Sequence, residues 1–177
     1  LFGDLLINHH DGADLQYAFA LNKTNGRTVW NTKRSVDYKD LGPDGKPKAG
    51  GDWRKAYATP HIVQLGGRPV LISSAAKAHY AYEPATGREL WRVEERGQHS
   101  CGARPVAGQG LIYISTGYSK SQIMALRPGG KGVVTDSHVA WRYARSGAPE
   151  KPSLLLVDDL LYMVDDKGGL TTCLDAK

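Results

Sequence analysis

The stretch "YAYEPATGRELWRVEER" (Tyr80–Arg96) decides the fold. Apolar and polar residues alternate up to Tyr82, then Pro84 and Gly87 frame a tight reversal, and alternation resumes through Trp91. Proline presets a turn φ and glycine takes a positive φ without steric cost, so the segment reads as strand, turn, strand. The same order occurs at 18–34 as "AFALNKTNGRTVWNTKR". A third copy, "IMALRPGGKGVVTDSHVAWRY" (123–143), carries an insertion in its turn. A fourth, "TTCLDAK" (171–177), runs up to where the turn begins. The markers are Trp30, Trp91 and Trp141, with anchors Leu21, Tyr82, Leu126 and Leu174. Their spacing is that of a unit of about 40–50 residues, with extra residues in the first interval.

Each copy is preceded by a hairpin. "HIVQLGGRPVLISS" (61–74), "RPVAGQGLIYIST" (104–116) and "PSLLLVDDLLYMVDD" (152–166) are pairs of short apolar runs around Gly66-Gly67, Gly108 to Gly110 and Asp158-Asp159. These turn residues tolerate the positive φ that tight hairpins need. Each unit thus has four strands, A to D. One such sheet cannot bury both faces alone, whereas sheets stacked around an axis can. The expected fold is all-β: a β-propeller of four-stranded antiparallel blades, present as an arc of about four. The expected blades are 1–35 (partial), 57–96, 101–146 and 151–177 (partial), together one partial propeller over 1–177. The recurrent tryptophan near strand D is expected to wedge between neighbouring blades.

Composition agrees with a globular chain. Of 177 residues, 41% are hydrophobic and 23% charged, and no apolar run is long enough to cross a bilayer as a helix. The formal net charge of +5 comes from scattered Lys and Arg rather than a cluster, so nucleic acid is not an expected partner. Cys101 and Cys173 belong to no CxxC pair, which removes zinc-ribbon and thioredoxin motifs. Two lone buried thiols are the expectation, with one disulfide between them as the alternative. The opening "LFGDLLIN" already alternates like a strand, and the chain is read as part of something longer or as a trimmed product. An open arc would leave apolar faces at both ends, which invite self-association.

The segments "ALNKTNGRTVWNTK", "YEPATGRELWRVE" and "CLDAK" resemble the repeats of the PQQ-like β-propellers, the superfamily of quinoprotein alcohol dehydrogenases and of the outer-membrane assembly lipoprotein BamB. The repeat signature is A-x-D-x-x-T-G-x-x-x-W. The second copy fits it through Ala81, Glu83 in place of Asp, Thr86-Gly87 and Trp91, and the first through Ala20, Asn22, Asn25-Gly26 and Trp30. The stretches "DGKPKAGGDWRKAYATPH" and "RPGGKGVVTDSHVAWR" are similar to planctomycete-type members. The resemblance implies propellers of seven or eight blades and a location in the periplasm or cell envelope. It also brings in PQQ, which the dehydrogenases hold with a Trp platform, adjacent cysteines and a Ca²⁺ site. This chain has no Cys-Cys pair, and no cofactor is expected.

In a propeller the B–C and D–A connections share one face and the A–B and C–D turns share the other. The second set is plain turn chemistry apart from the insertion after Leu126. The first set holds "NHHDGAD" (8–14), "VDYKDLGPDGKPKAGGDWRKAY" (36–57), "SAAKAH" (74–79), "ERGQHSCGAR" (95–104), "GYSK" (117–120) and "DDKG" (165–168). Five of the six histidines fall in or beside these segments. Polar loops on a rigid scaffold are where sites form.

His9, His10, Asp11 and Asp14 combine metal-donor types, yet adjacent strand residues point opposite ways and no HExxH-like spacing exists, so no metal is expected. Asp52, Trp53 and Arg54 form a candidate aromatic and ionic clamp for a sugar or peptide, or pin a long loop. His61, His99 and Arg104 are candidates for a site near the axis, or for hydrogen bonding between blades. Asp165 and Asp166 read as turn-formers. Two functional readings result. The favoured one is a non-catalytic scaffold presenting loops on one face to a protein or polysaccharide. The alternative is a quinoprotein-type oxidoreductase or small-ligand propeller with a His/Asp/Arg site near the axis. Convergence of His9 or His10, His61, His99 and Arg104 on one pocket would favour the second.

Overall fold

The computed structural model describes residues 1–118 and 120–177. Its strands form four sheets. The first contains β1 (Leu5–Asp11), β2 (Gln16–Asn22) and β3 (Thr28–Lys33). The second contains β4 (His61–Leu65), β5 (Arg68–Ala75), β6 (Ala78–Tyr82) and β7 (Glu89–Glu94). The third contains β8 (Val106–Gly108), β9 (Leu111–Ser115) and β10 (Ile123–Leu126), completed by β12 (Val139–Tyr143). The fourth contains β13 (Leu155–Val157), β14 (Leu160–Val164) and β15 (Thr171–Asp175). Within each sheet consecutive strands pair antiparallel.

One local device repeats. In every C–D pair a buried alanine faces the tryptophan: Ala20 opposite Trp30, Ala81 opposite Trp91, Ala125 opposite Trp141. The register slips immediately afterwards, between Ala20 and Leu21, Ala81 and Tyr82, Ala125 and Leu126. A methyl group leaves room for the indole across the strand pair, and the bulge bends the strand into its turn. The alanine and tryptophan of the repeat are thus two halves of one packing unit.

Three cores lie between the four sheets. The first joins Ala18, Ala20 and Trp30 to Leu71, Tyr80 and Tyr82. The second joins Ile72, Trp91 and Val93 to Ile114, Met124 and Leu126. The third joins Tyr113, Ile123 and Ala125 to Leu161 and Met163. Strands of the middle sheets are accordingly buried on both faces: every residue of β6 and β10 is buried. Strands of the outer sheets alternate instead, as β1 and β14 show. The inner strands β4, β8 and β13 contact one another in sequence, which places the A strands toward the axis.

The insertion in the third repeat has its own fold. β11 (Gly132–Val133) leaves the third sheet and pairs parallel with β7 of the second, Gly132 against Trp91 and Val133 against Arg92. The single turn of helix α1 (Thr135–His138) then returns the chain to β12. A second long connection, 34–60, contains a 3₁₀ turn at Lys48–Arg54 interrupted by left-handed residues Ala49 to Gly51. It is tied to the first sheet where the Ala56 amide donates to the Asp11 carbonyl, 3.2 Å.

The cysteines require one correction. Cys101 is buried as expected, but Cys173 is exposed. It lies on the face of β15 opposite to Leu174, which packs on the third core.

Candidate functional site

The face formed by the B–C and D–A connections carries the candidate residues, and they settle in separate places. His9, Asp11 and Arg34 are enclosed between the first two sheets. Arg34 makes a bidentate pair with Asp11, at 3.0 and 2.8 Å, and donates to Ser73 Oγ at 2.9 Å and Tyr82 Oη at 3.1 Å. Its guanidinium lies over the Tyr80 ring, 4.9 Å from the centroid. Because Ser73 Oγ accepts from Arg34, its own hydrogen is free for His9 Nδ1, 2.9 Å away. His9 Nε2 faces Asp11 at 3.7 Å. Burial, reinforced by the Arg34 charge, pushes the His9 pKa down to about 4. His9 is therefore neutral at pH 7. The trio Ser73, His9 and Asp11 contains the residue types of a nucleophilic triad, but all three side chains are sealed from solvent. Arg34 also holds the hydroxyl as an acceptor, so the trio serves as an interblade clamp.

His10 points the other way, onto the outward face of the first sheet. There its ring lies 5.4 Å from that of Tyr17. Arg54 turns back to Asp40 in a bidentate pair, at 2.9 and 2.6 Å, and lies over the Tyr38 ring at 5.1 Å. The hydrogen bonds from Arg54 hold the Asp40 carboxyl below its usual range. Trp53 is on the rim, with Lys77 Nζ 5.8 Å from its ring centre.

His61 and Arg104 share a shallow cleft with Ser153 near the A strands. His61 Nδ1 lies 2.9 Å from the Pro105 carbonyl. A carbonyl only accepts, so Nδ1 carries the proton and Nε2 is the free nitrogen of the neutral ring. Burial lowers the pKa of His61. Arg104 is exposed.

His99 and Asp52 line a different groove, of about 660 Å³, together with Tyr57, Tyr118, Glu150 and Lys151. Three successive D–A connections are laced together beneath it. The Ser100 amide donates to the Lys55 carbonyl at 2.8 Å, that of Tyr57 to Cys101 at 2.7 Å, and that of Gly102 to Glu150 at 3.4 Å. His99 and Tyr118 exchange a reciprocal backbone pair, at 3.2 and 2.8 Å, and their rings meet edge-on at 5.6 Å. The lacing needs Gly117. A Cβ there would lie 2.4 Å from the His99 carbonyl oxygen, and the residue's φ is +93°. Ser119, within "GYSK", lies outside the described residues.

The candidates thus divide among an interblade clamp, an outward face, a loop pin, a rim, a cleft and a groove. His61 and Arg104 share their cleft, but His9 and His99 lie elsewhere, so the four do not converge on one pocket. The groove residues Tyr57, Tyr118, Glu150 and Lys151 were not singled out from the sequence, nor was Arg34. Tyr57 ends the long 36–57 connection and Tyr118 stands in the short "GYSK" segment, where neither was distinguished from its neighbours. Asp165 does form a turn, accepting from the amides of Gly168 and Leu170 at 2.9 and 3.1 Å.

Among the described residues no group of three His, Cys, Asp or Glu side chains is placed to hold a metal ion. Cys101, Trp30 and Trp91 offer no open surface to a quinone. The buried Cys101 thiol donates to the carbonyls of Ala75 and Thr116, Cys173 lies two sheets away, and Trp30 and Trp91 are enclosed in interblade cores. No helix is long and apolar enough to cross a membrane.

Antiparallel sheets stacked face to face, the two middle ones with all four blade strands and the two outer ones with three, define an arc of a β-propeller. A family profile described as outer membrane protein assembly factor BamB matches residues 14–177, and the chain belongs to that family, within the PQQ-like propellers. No curated protein sequence matches it. Among solved structures it is similar to BamB from Moraxella catarrhalis, with TM-score 0.52 and 13% identity over 98% of this chain and 50% of that one. It is also similar to quinohemoprotein alcohol dehydrogenase ADHIIG from Pseudomonas putida HK5, with TM-score 0.66 and 13% identity over 98% of this chain and 31% of that one. The computationally designed Ika4 protein gives TM-score 0.55 and 10% identity over 98% and 86% of the two chains. At these identities the likeness is one of fold. The chain spans half or less of the length of the two natural proteins.

Proposed function

We propose that this propeller is a non-catalytic scaffold of the cell envelope that docks another envelope component, a protein or a polymer, on the face formed by its B–C and D–A connections. The observation that carries this reading is the disposition of that face. Its strongest charged groups are taken up in bidentate pairs, Asp11 with Arg34 and Asp40 with Arg54. The side chains left to solvent include Trp53, Tyr57 and Tyr118. Paired charges and exposed aromatic rings suit recognition more than proton transfer. The family description, an outer-membrane assembly factor, supports an envelope location and a protein-facing role.

The alternative, a quinoprotein-type oxidoreductase, rests on the fold shared with an alcohol dehydrogenase. Against it stand the enclosed positions of Cys101, Trp30 and Trp91.

The test is site-specific photocrosslinking in cells producing the whole protein. A benzophenone side chain at Tyr57 should capture a partner, while one at Arg88, in a C–D turn of the opposite face, should not. Equal capture from both faces, or none from Tyr57, would overturn the reading. Purified protein supplied with PQQ and Ca²⁺ should reduce no dye in the presence of alcohols, and turnover would move the assignment to the oxidoreductase.

A further inference from the structure

We propose that the groove over Tyr57, Tyr118 and His99 binds an uncharged saccharide chain, an assignment that rests on the loop-face reading above and names the chemistry of what docks there.

The aromatic rings come first. Among the described residues the large aromatic side chains that stand exposed are Trp53 at 39%, Tyr57 at 64% and Tyr118 at 52%. Tyr57 and Tyr118 line this groove, and Trp53 lines an adjoining recess that also contains His99. The remaining tyrosines and tryptophans are buried or half-buried. Exposed rings gathered on one surface mark a contact site. These rings sit on backbone fixed by the lacing of the D–A connections, so little order has to be imposed when a ligand arrives.

The backbone excludes one common kind of partner. The amides of Tyr57, Ser100, Gly102 and Tyr118 all donate to neighbouring carbonyls. An extended peptide gains affinity by pairing with a free strand edge, and these donors are already engaged. Whatever binds is read by side chains.

The charges narrow the choice further. Asp52 is paired with Lys55 at 3.0 Å, Lys151 with Asp166 at 3.7 Å, and Glu150 with Lys167 at 4.0 Å. Each charge at the groove has its counter-charge, which leaves little net field to select an ion. Each carboxylate keeps lone pairs that accept from hydroxyl groups. A sugar ring has a C–H face that meets the negative face of an aromatic ring and a hydroxyl edge that meets carboxylates. The groove and the recess lined by Trp53 both border His99, and two adjoining surfaces suit a chain of rings rather than one enclosed small molecule.

The test is isothermal titration of the protein with neutral oligosaccharides, namely cellohexaose, laminarihexaose, maltohexaose and mannohexaose, with oligogalacturonate as the charged comparison. At least one neutral chain should bind at about 1 mM or tighter. Tyr57→Ala and Tyr118→Ala should each weaken it roughly tenfold or more, whereas Tyr57→Phe, which keeps the ring, should bind within about twofold. Circular dichroism of the Ala variants should match the parent, and Tyr57→Phe keeps the test open if they misfold. Absence of binding by every neutral chain, binding indifferent to both rings, or tighter binding of oligogalacturonate would overturn the assignment. Selective crosslinking from Tyr57 to a protein, with no saccharide bound, would leave the scaffold reading standing and remove only this one.

Discussion

Trp30 of the first sheet lies directly against Gly87 of the second. A Cβ at Gly87 would sit 2.3 Å from Trp30 Cε3, and the Trp30 indole nitrogen donates to the Pro84 carbonyl at 3.1 Å. The glycine and tryptophan of the repeat therefore act across a blade boundary. The glycine of one turn is the seat for the tryptophan of the preceding blade. Gly87→Ala should destabilise the chain by about 2–4 kcal/mol, combining the left-handed φ with overpacking. Gly26 has the same φ of +71° but nothing within 4 Å of its Cβ position, so Gly26→Ala should cost only about 1 kcal/mol. Urea midpoints of the two variants check this, and equal losses would remove the interblade argument.

Arg34 and Asp11 form an enclosed ion pair at 2.8 Å. Removing one partner leaves a buried charge. Arg34→Met should cost about 3–5 kcal/mol, and Asp11→Leu added to it should restore much of that loss. Chemical denaturation of the single and double variants measures the coupling. A double variant no more stable than Arg34→Met would show that the pair does not act as a unit.

The acid side of the stability profile follows from the histidines. Burial holds His9 at about 4 and His79 at about 3 in the folded chain, against 6.5 for an unperturbed ring. The unfolded chain therefore binds more protons than the folded one between those values. Stability is full above pH 6.5 and declines as pH falls toward 4. His9 contributes about 3 kcal/mol to that decline. Thermal melts should show a falling Tm from pH 7 to pH 4.5, and His9→Asn should flatten part of the slope. An unchanged slope would place the effect elsewhere.

The two thiols should react on different time scales. Burial pushes Cys101 up to about 12, while Cys173 is exposed. Ellman's reagent at pH 8 should modify one thiol promptly and the second only after denaturant is added. Cys173→Ser should abolish the prompt phase, and its persistence would contradict the assignment.

These relationships bear on what a sequence discloses. Alternation and turn residues disclosed an all-β propeller because each blade is written locally: one hairpin, one turn, one tryptophan. The reason for Gly87 was not local, since its partner stands a whole repeat earlier. The pairing of Gly132 and Val133 with β7 was hidden for the same reason, as two residues among glycines carry no strand period. At the site, residue type misdirected attention. His9 and Asp11 look like ligands on a strand end, but the second blade seals them, and only the blade-to-blade register reveals it. Tyr57 and Tyr118 stood in connections already assigned to the loop face, yet their exposure depends on how three connections are laced together.

β11 has a consequence for how the chain assembles. Most contacts in this architecture join neighbours in sequence, so blades can accrue one after another. β11 breaks that order: the outer flank of the second blade is finished by residues that follow the C strand of the third. That flank is complete only once the third blade's insertion has been made and turned back, so the second blade's final form includes a piece of the third.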